Sequence, residues 1–337
     1  MSGSVIFVIL RKYIEMPKVK QTYKKEAKTL DEQIAILRSR GIVISDEGKA
    51  KEYLSDIGYY RLGFYSHPFE ITYPELGKRR QHDVRPGTKI EEIVALYYYD
   101  FDLRTLLNRY LSRIEVSVRT SIIYELSLKY RPNSTWFVDP AVMTAGFISV
   151  FHKEVYSHLR SKPTIVRHHD KYYGKYAPAW KTIEFMTMGN MEALYENLLL
   201  DADKRLISIR YNEPAIATFK SYLTALREVR NACAHGNVLY DLHLVSGIIR
   251  GAACPSFTHG SHQTLSGVLR VIDFMLRSIS VNRANEMWEE LYKVTDRLYS
   301  KVPIIRPLIE AKTGIVIPAK SCTKIKLCGF FSRIFGK

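Results

Sequence analysis

Arg230, Asn231 and His235 sit close together in the stretch "REVRNACAHGNVLYD" (Arg227–Asp241), with only Ala232, Cys233 and Ala234 among them. Asn231 and His235 are four apart and share a helix face; Arg230 is adjacent and long enough to bend back toward them. These residue types match the needs of RNA strand scission without a metal. The ribose 2′-hydroxyl must lose a proton to attack the neighbouring phosphorus, and the leaving 5′-oxygen must gain one. An imidazole handles either proton near neutral pH. A guanidinium holds the non-bridging oxygens as negative charge builds on them, and Asn231 can orient the imidazole or bind a phosphate oxygen. One such site has a single evident titratable group, so two copies facing each other across a dimer interface would supply both base and acid. By spacing alone, the commoner meaning of such a trio is structural: a cap network that ties helix ends together.

The elements that must position these groups read as helices. From Ala215 to Ala234, Ile216, Phe219, Leu223, Leu226 and Val229 recur at helical intervals, and Gly236–Asn237 is a stop signal. His235 therefore falls in the last turn, beside the negative end of the helix dipole, which favours a cation. Ala232, Cys233 and Ala234 add little bulk, so another helix or a polyanion can approach. Upstream, Ile93, Leu96, Leu103, Leu107, Ile114, Val118, Ile122 and Leu126 predict one very long helix over 90–130, or two with a kink, ended at Arg131–Pro132–Asn133. Thr29 with Glu32 predicts a capping box opening a helix that stops at Gly41. A second helix is expected from Ser45 and Glu47 to Gly58. The aromatic run "YYRLGFYSHPFEITYP" reads as a structured loop or short extended segments, and "GKRRQHDVRPGT" (77–88) is the best internal boundary. Helical periodicity returns at 181–200, 214–235 and 264–300, with no comparable strand-rich segment. The expected class is all-α.

Lys plus Arg number 50 against 34 Asp plus Glu, a net charge of +16. That excess suits a polyanionic partner, nucleic acid first and an anionic membrane second. Tyr59, Tyr60 and Arg61 can stack unpaired bases and grip phosphate, or simply pack on the bundle. Arg104 or Arg113 can face the same cleft, and Arg227 lies one turn before the trio. Glu115 and Arg119 have the spacing of a structural ion pair. Cys233 is a poor nucleophile candidate, because two residues from His235 on a helix it points elsewhere. Cys233, Cys254, Cys322 and Cys328 show no zinc-ligand rhythm, and neither His168–His169–Asp170 nor His259 with His262 has a set of further ligands. No metal or cofactor is expected, and a reducing cytoplasm is the simpler setting. The apolar block Val5–Leu10 precedes Arg11 and Lys12, the reverse of a signal peptide. Residues 1–15 read as an extension, or as a start placed too early with Met16 as the natural one. The tail alternates Lys320, Lys324, Lys326 and Arg333 with Ile325, Leu327, Phe330 and Phe331. It reads as a docked terminal helix or as an amphipathic segment for a membrane surface or RNA.

"VRNACAH" (229–235) resembles the signature of the Abi family, phage abortive-infection proteins of the AbiD/AbiF type within the wider HEPN group, whose hallmark is Arg, four to six residues, then His. Leu30–Phe69, Gly87–Ile122 (with Asp100–Phe101–Asp102 and Ile114–Glu115-x-x-x-Arg119) and Pro178–Leu198 are similar to the family's other blocks, in order. The resemblance implies a HEPN-type helical bundle with an N-terminal helical subdomain and a C-terminal helical extension. The corresponding boundaries are an extension over 1–28, the subdomain over 29–86, the bundle over 87–300 and a basic tail over 301–337. It further implies a bacterial cytoplasmic homodimer and metal-independent endoribonuclease chemistry that leaves 2′,3′-cyclic phosphate ends. Arg230, Asn231 and His235 would be catalytic. The implied partner is RNA, including a small structured non-coding RNA encoded nearby, in the manner of a toxin–antitoxin pair. Where many relatives carry a further His and Arg after the signature His, this chain has Gly236, Asn237 and Val238. Two other functions compete: a non-catalytic module holding a partner RNA in the same cleft, and a membrane-acting toxin working through the tail.

Overall fold

In the computed structural model, residues 25–257 and 260–317 are described. The expectations for residues 1–15, for His259, for Cys322 and Cys328 and for the tail from residue 318 lie outside them. Thr29 opens α1 (Leu30–Ser39) with the expected capping box: its hydroxyl accepts from the Glu32 amide at 3.3 Å, and the Glu32 carboxylate accepts from the Thr29 amide at 2.8 Å. Asp46, rather than Ser45, caps α2 (Glu47–Asp56) by accepting from the Lys49 amide. Gly58, at φ +84°, then reverses the chain, a backbone state that glycine adopts without a steric penalty.

The aromatic run that reads as a loop is in fact a helix, α3 (Tyr59–Ser66), followed by a 3₁₀ turn at His67–Phe69. Leu62, Tyr65 and Phe69 are buried at intervals of three and four, so a helical stripe was hidden among many aromatics. Between α3 and the next helix, Arg80 and His82 reach back to the buried carboxylate of Glu70.

The long periodic stretch is one unbroken helix, α4 (Ile90–Lys129), 40 residues in length. It contains no Pro or Gly, and a buried side chain appears at nearly every turn. At about 1.5 Å per residue it runs about 60 Å. The mixed region that follows folds into short pieces: α5 (Ala145–Val150), a π-helical segment (Phe151–Tyr156), α6 (Ser157–Leu159), α7 (Pro163–Lys171) and α8 (Ala179–Thr182). Then come α9 (Met188–Glu196), α10 (Asp201–Ile209), α11 (Ile216–Ala234), α12 (Leu265–Ile279), α13 (Val281–Lys301) and α14 (Arg306–Thr313). Ser280, extended at φ −163°, divides the 264–300 stretch into two helices. Helices α3, α10, α11, α12 and α13 all pack on α4. Ile309 and Ile315 are buried, so the chain just after 301 docks on the bundle. The class is all-α: among the described residues only isolated β-bridges occur. No described helix is long and apolar enough to cross a membrane.

The helix that carries the Arg-Asn-His trio is fastened near its start by a buried carboxylate. Glu213 accepts from the Ala215 amide, the Tyr222 hydroxyl and the Ala252 amide. The loop at Gly251 passes so close that a Cβ there would lie 2.3 Å from Thr218 Cγ2 and 2.4 Å from Glu213 Oε2. Those side chains are buried and hydrogen-bonded, so they cannot yield freely. Gly251→Ala is expected to destabilise the fold by about 1–3 kcal/mol, the range for overpacking, measured by urea denaturation.

Candidate active site

Helix α11 has two faces. Leu223, Ala225, Leu226, Val229 and Ala232 are buried against the bundle. Arg227, Arg230, Asn231, Ala234 and His235 lie on the other side, partly or fully exposed. The helix closes in a Schellman motif: the Asn237 amide donates to Ala232 O at 3.0 Å, and the Gly236 amide donates to Cys233 O at 3.4 Å. Gly236 sits at φ +69°, and His235 occupies the C-cap, its amide bonded to Asn231 O at 2.9 Å. Gly236 and Asn237 thus end the helix by local backbone geometry.

The chain leaving His235 is clamped by groups far away in sequence. Arg61 Nη1 donates to Gly236 O at 2.7 Å, and Arg104 Nη1 donates to Asn237 O at 3.1 Å. Asp100, fully buried, accepts from the Leu239 amide at 2.9 Å, the Tyr240 amide at 2.7 Å and the Tyr65 hydroxyl at 2.8 Å. It is also ion-paired with Arg104. Burial pushes the Asp100 carboxyl up, but both its oxygens face N–H or O–H donors, an arrangement that only the carboxylate satisfies. Burial likewise raises the Tyr65 phenol, keeping it a donor. Sequence reasoning missed Asp100 and Tyr65. The available signal was an Asp and an Arg four apart on an otherwise apolar face of α4.

The trio itself is less occupied. Arg230 Nε lies 3.8 Å from Glu115 Oε2, a loose pairing, with the Arg230 side chain 40% exposed. Glu115 is held more firmly by Arg119 at 3.0 Å, as its spacing predicts, and Arg119 also donates to Met186 O. Arg230 makes no other polar contact, and the side chains of Asn231 and His235 make none, among the described residues. One turn earlier, Arg227 is tied to Glu192 at 2.5 Å. Arg61 borders the trio. Tyr60 stands 81% exposed beside it, and Tyr59 packs under Arg40. Arg104 is buried and turned to the clamp, which leaves it little surface to offer a ligand. Arg113 is exposed in a separate cleft with Ser117, Thr120 and Arg210. On α4 it points about 200° away from Glu115, so the fold does not bring it to the trio. Cys233 is half-buried, and burial pushes its thiol up to about 12, leaving it protonated and non-nucleophilic at neutral pH. No cluster of His, Cys, Asp and Glu that could hold a metal occurs among the described residues.

Breaking the clamp has a calculable direction. Asp100→Asn leaves Arg104 as an unpaired buried charge and sets an amide N–H against other donors. A loss of about 3–5 kcal/mol is expected by chemical denaturation. Tyr65→Phe, which removes one neutral donor, is expected to lose only about 1–2 kcal/mol.

A family model described as Abi-like protein matches residues 52–241, more than half the chain. Among curated proteins and among solved structures, nothing matches it. Arg61, Asp100, Arg104, Arg230, Asn231 and His235 all fall inside the family match, and the chain belongs to the Abi-like protein family, whose members act in abortive infection, a defence against phage.

Proposed function

We propose that this protein defends against phage as a metal-independent endoribonuclease acting from a homodimer, with RNA both as substrate and as a controlling partner. One observation carries the reading. Arg230, Asn231 and His235 stand together on an exposed helix end that a buried clamp holds fixed, and their polar groups are largely uncommitted within the chain. In the proposed step, one imidazole takes the proton of the ribose 2′-hydroxyl as O2′ bonds to phosphorus. The P–O5′ bond breaks, and a second, protonated imidazole gives its proton to O5′. Arg230 neutralises the non-bridging oxygens, displacing its loose contact with Glu115. The products are a 2′,3′-cyclic phosphate and a 5′-hydroxyl.

Each chain offers one imidazole here, so the second must come from a second copy. Thr105, Asn108 and Ser112 form an exposed row on α4, on the turns between Arg104 and Glu115, and their small side chains permit close approach of another helix. The charge of +16 supports a polyanionic partner, and a small structured RNA is the fitting kind. A second reading, in which the same face holds RNA without cutting it, is favoured by that single imidazole per chain.

The two readings separate in one assay with purified protein and RNA in EDTA. Cleavage is expected to persist in EDTA, and His235→Ala is expected to lower its rate by about 100- to 10,000-fold, the span of general acid–base catalysis. Cleavage that needs a divalent metal, or that survives in His235→Ala, rules out the proposed mechanism. Intact RNA in every lane with tight, salt-sensitive binding supports the holding module instead. If two imidazoles are required, a purified heterodimer of wild-type and His235→Ala chains is expected to be as inactive as the doubly substituted dimer.

A further inference from the structure

A groove of about 580 Å³ opens beside the N-terminal end of α3, with Lys25, Glu26, Lys28, Arg40, Tyr59 and Tyr60 among its lining. Two of its features look outward for a partner. The Arg40 guanidinium packs over the Tyr59 ring, 5.8 Å from its centroid, and donates to no acceptor among the described residues. Tyr60 presents a largely exposed ring, edge-on to Phe64 at 5.2 Å. A cation without a carboxylate attracts phosphate. An exposed ring offers a face on which a base can stack.

We infer that this groove binds one unpaired nucleotide of an RNA strand. The base stacks on Tyr60, and a phosphate lies against Arg40 and Lys25. Lys28 is already paired with Glu32 at 3.2 Å and contributes less. The volume suits a single nucleotide. The strand, rather than a free nucleotide, is the source because α3 carries both a wall of the groove and a contact to the end of the Arg-Asn-His helix. Tyr60 is followed directly by Arg61, which grips Gly236 O at the end of that motif. The inference rests on reading α11 as an RNA-facing helix, and it assigns that surface a preference for single-stranded segments flanking the cut.

The test measures binding to the full chain carrying His235→Ala, which leaves RNA uncut, by fluorescence anisotropy. The probes are a short unstructured RNA oligonucleotide, the same sequence as a blunt duplex, and AMP as competitor. Adding Tyr60→Ala is expected to weaken single-strand binding by about 5- to 150-fold, the span of about 1–3 kcal/mol per stacked base, while Tyr60→Phe retains it. Tyr60 is exposed, and circular dichroism checks that the variant is folded. Arg40→Gln is expected to reduce the salt dependence by the share of one phosphate, about 0.7 in the log–log slope. Single-strand affinity unchanged by both Tyr60→Ala and Arg40→Gln overturns the groove, as does equal Tyr60 dependence for the duplex. AMP competing at low concentration assigns the groove to a free nucleotide and overturns the strand. If wild-type protein cuts RNA and the groove variants bind normally, the groove alone fails. If Tyr60-dependent binding appears in a protein that cuts nothing, the cleavage reading fails and the groove stands. Absence of RNA binding altogether overturns both.

Discussion

The buried carboxylate of Asp100 is the constraint around which the candidate site is organised. A charge without solvent is tolerable only when paired and hydrogen-bonded. Asp100 meets that condition by gathering Arg104 from its own helix, the Tyr65 hydroxyl from α3, and the amides of Leu239 and Tyr240. Three segments far apart in sequence are thereby fixed to one point. The five residues after His235 have no freedom to wander, because Arg61, Arg104 and Asp100 hold successive backbone groups. Such a pair gives little net stability against a well-packed apolar substitute, and its value here is geometric. It fixes the chain that leaves α11, and so holds the helix end where His235 stands.

Around that fixed point the arginines of α11 are graded in their commitments. Arg227 is closely tied to Glu192, and Arg230 only loosely approaches Glu115, whose better partner is Arg119. Glu115 can thus hold Arg230 in place between encounters without neutralising it fully. The pattern is what a surface needs if it must keep cations oriented yet available to a polyanion. On the other side of the clamp, Arg61 serves the backbone while its neighbour Tyr60 is left to solvent. One short helix, α3, thus links the motif to the groove at the N-terminal end.

Periodicity alone determined that the chain is all-α, that α11 ends near Gly236, and that Asn231 and His235 share a face, because apolar spacing and helix-stop residues are local signals. The capping box at Thr29 and the pairing of Glu115 with Arg119 were legible for the same reason: both partners lie within four residues. The helix α3 was misread because aromatic density and Gly63 obscured its three- and four-residue spacing, and burial against α4 decides such a segment. Which arginines are free was not legible at all. Arg104, Arg113 and Arg61 look alike in sequence, yet one is buried in an ion pair, one opens into a separate cleft and one holds a carbonyl 175 positions away. Only the packing of α3 and α11 on α4 assigns those fates, since long-range partners are chosen by which faces meet and not by any local pattern.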